Sequence, residues 1–148
     1  MKKGILFGLA VSAMMLFNAS VFAAGEHKVV LQISDADVAK QNLVLNVATN
    51  LQKTWGLANS DIEIVAFGPG MKLLVHNPKD KAEMKVEGRV NGLAANNIRF
   101  SACQNTINAM TKKAGGKKPV VNSKATVVPA GAARIAELVG QGYVLIRP

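Results

Sequence analysis

Lys28-Val29-Val30-Leu31-Gln32-Ile33-Ser34-Asp35-Ala36-Asp37 is the stretch from which the fold is read. Residues 28–33 are rich in β-branched side chains and almost continuously apolar, the pattern of a strand covered on both faces. Ser34 to Asp37 then offer turn and helix-capping oxygens. From Val38 to Trp55 the apolar residues Val44, Val47, Ala48, Leu51 and Trp55 recur at helical spacing, and Gly56 ends the run.

The rest of the chain repeats that alternation. Asp61 to Phe67 reads as a second strand ending at Gly68-Pro69-Gly70, followed by a short helical segment around Met71 to Val75 and a longer one from Asp80 to about Asn96. Ile98 to Ala102 is a third strand with Cys103 at its end, and Gln104 to Lys113 an amphipathic helix through Ile107 and Met110. Beyond the Gly115-Gly116-Lys117-Lys118-Pro119 loop come a fourth strand at Ala125–Val128, a helix at Ala132–Val139 and a fifth strand at Tyr143–Ile146. Parallel neighbours need crossover connections, and right-handed crossovers carry their helices outside the sheet. The expected fold is therefore α/β, a single domain with a mainly parallel five-stranded sheet covered by helices on both faces.

Residues 1–23 have a different character. Lys2 and Lys3 precede an apolar run, Ile5 to Phe17, and the small-residue site Val21-Phe22-Ala23, which is the pattern of a cleaved secretory signal peptide. The apolar run is shorter than the roughly 20 residues a spanning helix needs, so no stable membrane anchor is expected. Cleavage after Ala23 leaves residues 24–148 as one domain and lowers the net charge from +9 to +7. Export, for example to a periplasm, and the four scattered aromatics Trp55, Phe67, Phe100 and Tyr143 argue against a nucleic-acid partner. The basic balance leaves anionic small molecules open.

In open α/β sheets the working residues gather at the carboxyl ends of the strands. Four segments lie there: Ser34 to Asp37, Gly68-Pro69-Gly70, Cys103 to Thr106, and Pro129-Ala130-Gly131. Cys103 is the chain's single cysteine, which excludes an internal disulfide, a cysteine-rich zinc site and dithiol chemistry. Between a strand and the first turn of a helix, unpaired N–H groups and the helix dipole favour a thiolate, the nucleophilic form. A buried, merely packing cysteine is the competing reading. Gln104, Asn105 and Thr106 either hold an anion at the sulfur or cap the helix. Gly68 and Gly70 either form an anion-binding backbone nest or a tight turn. No metal-ligand spacing and no cofactor motif is present, and Asp35 and Asp37 read as turn and cap residues. A Cys-His hydrolytic pair would require His76 within hydrogen-bond reach of Cys103. Asn42, Asn46 and Asn50 share one stripe of the first helix. Lys112, Lys113, Lys117 and Lys118 form a basic rim near the glycine loop.

Three segments together resemble the DsrE/DsrF-like family: Gly68-Pro69-Gly70-Met71-Lys72-Leu73-Leu74, Ile98 through Cys103 to Thr106, and Val127-Val128-Pro129-Ala130-Gly131 through Gly142-Tyr143. The resemblance implies a three-layer α/β/α domain that assembles as a homo-oligomer, often a trimer or hexamer. It also implies that a cysteine at the position of Cys103 carries sulfane sulfur as a persulfide, exchanged with a donor or acceptor protein. Such transfer needs no second thiol, in contrast to dithiol redox or hydrolysis. The expected function is an exported sulfur carrier. The alternative is a non-catalytic oligomeric module that binds a small anion or a protein at the strand-end edge, with Cys103 structural.

Overall fold

The structure, a computed structural model, describes residues 27–75 and 81–148. The proposed leader and His76 lie outside the described residues. In chain order the elements are β1 (His27–Ile33), α1 (Val38–Trp55), β2 (Ser60–Ala66), a 3₁₀ helix (Gly68–Leu73), α2 (Lys81–Ala95), β3 (Arg99–Cys103), α3 (Gln104–Lys113), β4 (Ala125–Val128), α4 (Gly131–Gly140) and β5 (Val144–Ile146).

The capping oxygens act as expected. Asp37 is the N-cap of α1 and accepts from the N–H groups of Ala39 and Lys40, while Asp35 accepts from the N–H of Asp37 and pairs with Lys40 at 2.7 Å. The helical segment after β2 differs from the expectation of Met71 to Val75. It is 3₁₀ and begins at Gly68, because Pro69 has its φ preset for a first turn and lacks only an N–H that a first turn leaves unpaired.

The strands form one sheet in the order β4-β3-β2-β1-β5, and every neighbouring pair is parallel. The first three crossovers step in one direction, so right-handedness puts α1, α2 and α3 on one face. Their Val44, Leu45, Ala48, Val86, Val90 and Ile107 pack with the alternate strand residues Val29, Leu31, Ile62, Ile64, Phe100 and Ala102 to make the main core. The last crossover runs back over the whole sheet, which puts α4 on the other face, where Ile135 and Leu138 meet Val30, Val65 and Tyr143. The asparagine stripe has an intramolecular partner: Arg89 of α2 donates to Asn42 Oδ1 at 2.6 Å and to Asn46 Oδ1 at 2.7 Å.

A candidate thiolate cradle at the switch point

Because α3 follows β3 onto one face and α4 follows β4 onto the other, the carboxyl ends of β3 and β4 flank the topological switch point of the sheet. A parallel sheet opens a crevice at that place. Cys103 stands in it, as the last residue of β3 and the N-cap of α3. Opposite lies the β4–α4 connection, with Ala130 as the N-cap of α4 and Gly131 as its first residue. Cys103 and Val128 are register partners across β3 and β4, so the two helix starts lie side by side.

Cys103 is 5% exposed, and burial alone pushes its thiol pKa up. The hydroxyl of Thr106 and the backbone N–H groups of Gly131, Thr106 and Asn105 outweigh that push and hold the thiol below its ordinary range. The starts of two helices on opposite faces of the sheet, α3 and α4, thus meet beside the thiol.

The sequence-proposed residues divide. Thr106 is the foremost of the groups that lower the thiol pKa, and its Oγ1 accepts from the N–H of Gly68 at 2.9 Å. The backbone N–H of Asn105 donates to the carbonyl oxygen of Pro129 at 3.4 Å, tying the two loops together. The side chain of Gln104 instead donates to Asn108 Oδ1 at 2.7 Å. Gly68 reaches the site only through Thr106, and the N–H of Gly70 closes on the carbonyl of Phe67 at 3.1 Å. Both glycine N–H groups thus have partners inside the protein, and the arrangement is a buttress behind Thr106. Gly70 is there for space, since a Cβ would fall on the carbonyl of Ile33 and the Cα of Ser34. Gly131 likewise admits Phe67, whose Cβ would stand 2.9 Å from an added methyl.

Beside Thr106 a cleft of about 420 Å³ runs between the 3₁₀ helix and α3, with Pro69, Met71 and Met110 among its walls and Lys72 and Lys113 along it. Among the described residues no group of three His, Cys, Asp or Glu could hold a metal ion, and no helix is long and apolar enough to cross a membrane.

A polar cluster under α4 escaped the sequence reading. Glu63, 1% exposed in the middle of β2, receives both Nε and Nη2 of Arg134 at 2.8 Å and the hydroxyl of Ser101 at 2.6 Å. Arg99 adds a contact to Glu63 at 3.2 Å and one to Asp61 at 2.8 Å, and also donates to the Tyr143 hydroxyl, which itself donates to Asp61. Burial works to raise the Glu63 carboxyl pKa, but the hydrogen bonds from Arg134 and Ser101 and the charges of Arg99 and Arg134 hold it below the usual range. The one visible signal in the sequence was an acid inside the apolar run Ile62-Glu63-Ile64-Val65-Ala66.

Fold and site define a small parallel α/β domain with a lone, anion-stabilised thiol at its switch point. The chain belongs to the DsrE/DsrF-like family, whose profile matches residues 27–148. Among solved structures it is similar to a protein of unknown function, MTH1491 from Methanobacterium thermoautotrophicum, with a TM-score of 0.68 and 26% identity over 82% of this chain and 99% of that one. The ychN protein from E. coli shares the fold at a TM-score of 0.62 and 14% identity, again over 82% of this chain and 99% of that one. No curated protein matches the chain.

Proposed function

We propose that this protein is an exported sulfur carrier in which Cys103 accepts and passes on sulfane sulfur. The observation that carries the reading is the place of the chain's single thiol: Cys103 closes β3 and caps α3 at the switch point, beside the start of α4, in surroundings that hold its pKa below the ordinary range. Membership of a family associated with sulfur relay supports it. In the transfer, the Cys103 thiolate attacks the outer sulfur of a persulfide or polysulfide donor. A new S–S bond forms on Cys103, the donor's S–S bond breaks, and the electron pair leaves on the donor's inner sulfur as a thiolate. The sulfane sulfur changes owner without net oxidation. No cofactor or metal takes part in this step. The Lys2-Lys3 start, the apolar run and the Val21-Phe22-Ala23 site support export, and the family resemblance supports a homo-oligomer working with a donor or acceptor protein.

The near-closure of Cys103, 5% exposed, favours a second reading in which the cysteine only packs and the strand-end edge binds a small anion or a protein. Intact-mass measurement separates the two. Protein recovered from the cell envelope, and purified protein treated with polysulfide, are expected to gain the mass of one or more sulfur atoms, lost on reduction and absent from Cys103→Ser. The envelope form is also expected to lack residues 1–23. A thiol that gains no sulfur from several polysulfide donors and alkylates slowly would remove the carrier reading in favour of the second.

A further inference from the structure

We infer that the cleft beside Thr106 is the donor subsite of Cys103, shaped for an elongated organic persulfide with its sulfur at one end, a carboxylate at the other and an apolar body between. The inference rests on Cys103 accepting sulfane sulfur, and it names the class of donor. The cleft, about 420 Å³, is of the size that holds a small organic ligand. One wall is a single face of α3, because Thr106, Met110 and Lys113 follow at intervals of four and three residues and so line up along the helix. The opposite wall is the 3₁₀ helix, with Pro69, the buried Met71 and Lys72. Thr106 marks the end near the thiol: Cys103 is the N-cap of α3 and Thr106 its third residue, and residues three apart at a helix start are neighbours.

Charge decides which end of the ligand goes where. Lys113 comes seven residues after Thr106, roughly 10 Å along the α3 axis at the usual helical rise. Lys72 comes four residues after Gly68, whose N–H bonds to Thr106 Oγ1 at 2.9 Å, so it stands roughly 8 Å along the 3₁₀ helix from that contact. No acid lines the cleft, and among the described residues neither lysine has a carboxylate partner. The acids on either side of the lining residue Ala36 are engaged, Asp35 with Lys40 at 2.7 Å and Asp37 with the first N–H groups of α1. Two cations at the far end of an apolar slot complement an acid group on an apolar chain, and methionine walls adapt to the shape of that chain. In the transfer the Cys103 thiolate attacks the outer sulfur of the bound persulfide. That sulfur keeps its proton, the donor's S–S bond breaks, and the organic thiolate leaves with the electron pair.

Binding is read first, with no sulfur transferred: ω-mercaptooctanoate, whose length matches the span from Thr106 to Lys113, is titrated into protein with isotope-labelled methionine methyls. The Met71 and Met110 resonances are expected to shift, and to shift less in Ala109→Trp, which fills the cleft from an exposed position on α3. Transfer is read second, as the rate at which Cys103 gains one sulfur by intact mass from the persulfide of ω-mercaptooctanoate and from the persulfide of its amide. Wild type is expected to prefer the acid about fivefold, the scale of two solvent-exposed ion pairs, and Lys72→Gln/Lys113→Gln to lose that preference. Both lysines are exposed, so neither replacement disturbs the core. Absent methyl shifts, or equal loading from acid and amide, would overturn the inference. So would shifts produced by an acidic peptide and not by the thiol, or by raising the protein concentration alone, which would seat a protein segment or a second copy in the cleft. If Cys103 loads from inorganic polysulfide while the cleft binds nothing, the inference fails and the carrier reading stands. If Cys103 gains sulfur from no donor, the carrier reading fails and takes the donor role with it, whatever the cleft binds.

Discussion

Cys103 and Thr106 behave as a unit. Thr106 is one turn into α3, so its hydroxyl hangs back over the N-cap, and the Gly68 N–H at 2.9 Å orients that hydroxyl by occupying an oxygen lone pair. The hydroxyl is also the foremost of the groups that hold the Cys103 thiol below its ordinary range. Replacing Thr106 with Val keeps the β-branched shape and deletes only the hydroxyl. Thr106→Val is therefore expected to raise the Cys103 alkylation midpoint by roughly half to one pH unit and to slow labelling at neutral pH by about three- to tenfold. The Gly68 N–H loses its acceptor as well, so stability is expected to fall by about 1 kcal/mol. A variant that labels as fast as wild type at every pH would show that the backbone N–H groups alone set the thiolate.

The link of α4 to β2 carries a pH signature. Glu63 is buried, yet its carboxyl is held below the usual range, so the folded state favours the carboxylate relative to the unfolded chain. A depressed carboxyl pKa contributes stability that is complete above the unfolded value, about 4.3, and is lost as pH falls through the folded value. At neutral pH, Glu63→Gln leaves Arg134 without its carboxylate and is expected to cost about 3 kcal/mol. That gap is expected to narrow as the solution is acidified, because the wild type then loses the same charge. Urea denaturation at a series of pH values measures it, and a gap that stays constant down through the acid range would contradict the pairing. None of this was legible from the sequence beyond the acid itself, since Ser101 and Arg134 stand 38 and 71 residues away along the chain. What local pattern could reveal, it did reveal. Buried parallel strands read as apolar runs, α1 announces its cap in Asp37, and Cys103 falls at a strand end. That the start of α4 lies beside Cys103 depended on the strand order, which places β4 beside β3 and which no local pattern encodes.

That strand order joins the two edges of the molecule through α4. β4 and β5 lie at opposite ends of the sheet, and both are short, with Val127 46% and Val144 62% exposed. β1 and β2, by contrast, pair along their full length from His27–Ser60 to Ile33–Ala66 and are covered by the main core. The segment β4-α4-β5 forms one continuous stretch of chain, tied to the rest on its own face by Arg134 at Glu63, Ile135 and Leu138 at Val30 and Val65, and Tyr143 at Asp61 and Arg99. Local opening follows such contiguous units. Amides of β4, α4 and β5 are therefore expected to share one opening free energy, below that of β1, β2 and β3, although the two edge strands never touch. Native-state hydrogen exchange at rising denaturant measures it residue by residue, with Leu145 and Val128 expected to merge on one isotherm and Ile64 to exchange only by global unfolding. Glu63→Gln is expected to lower the β4-α4-β5 isotherm more than that of α1. If Val128 instead follows β3 while Leu145 opens alone, β4 belongs with the central strands and β4-α4-β5 is not one opening unit.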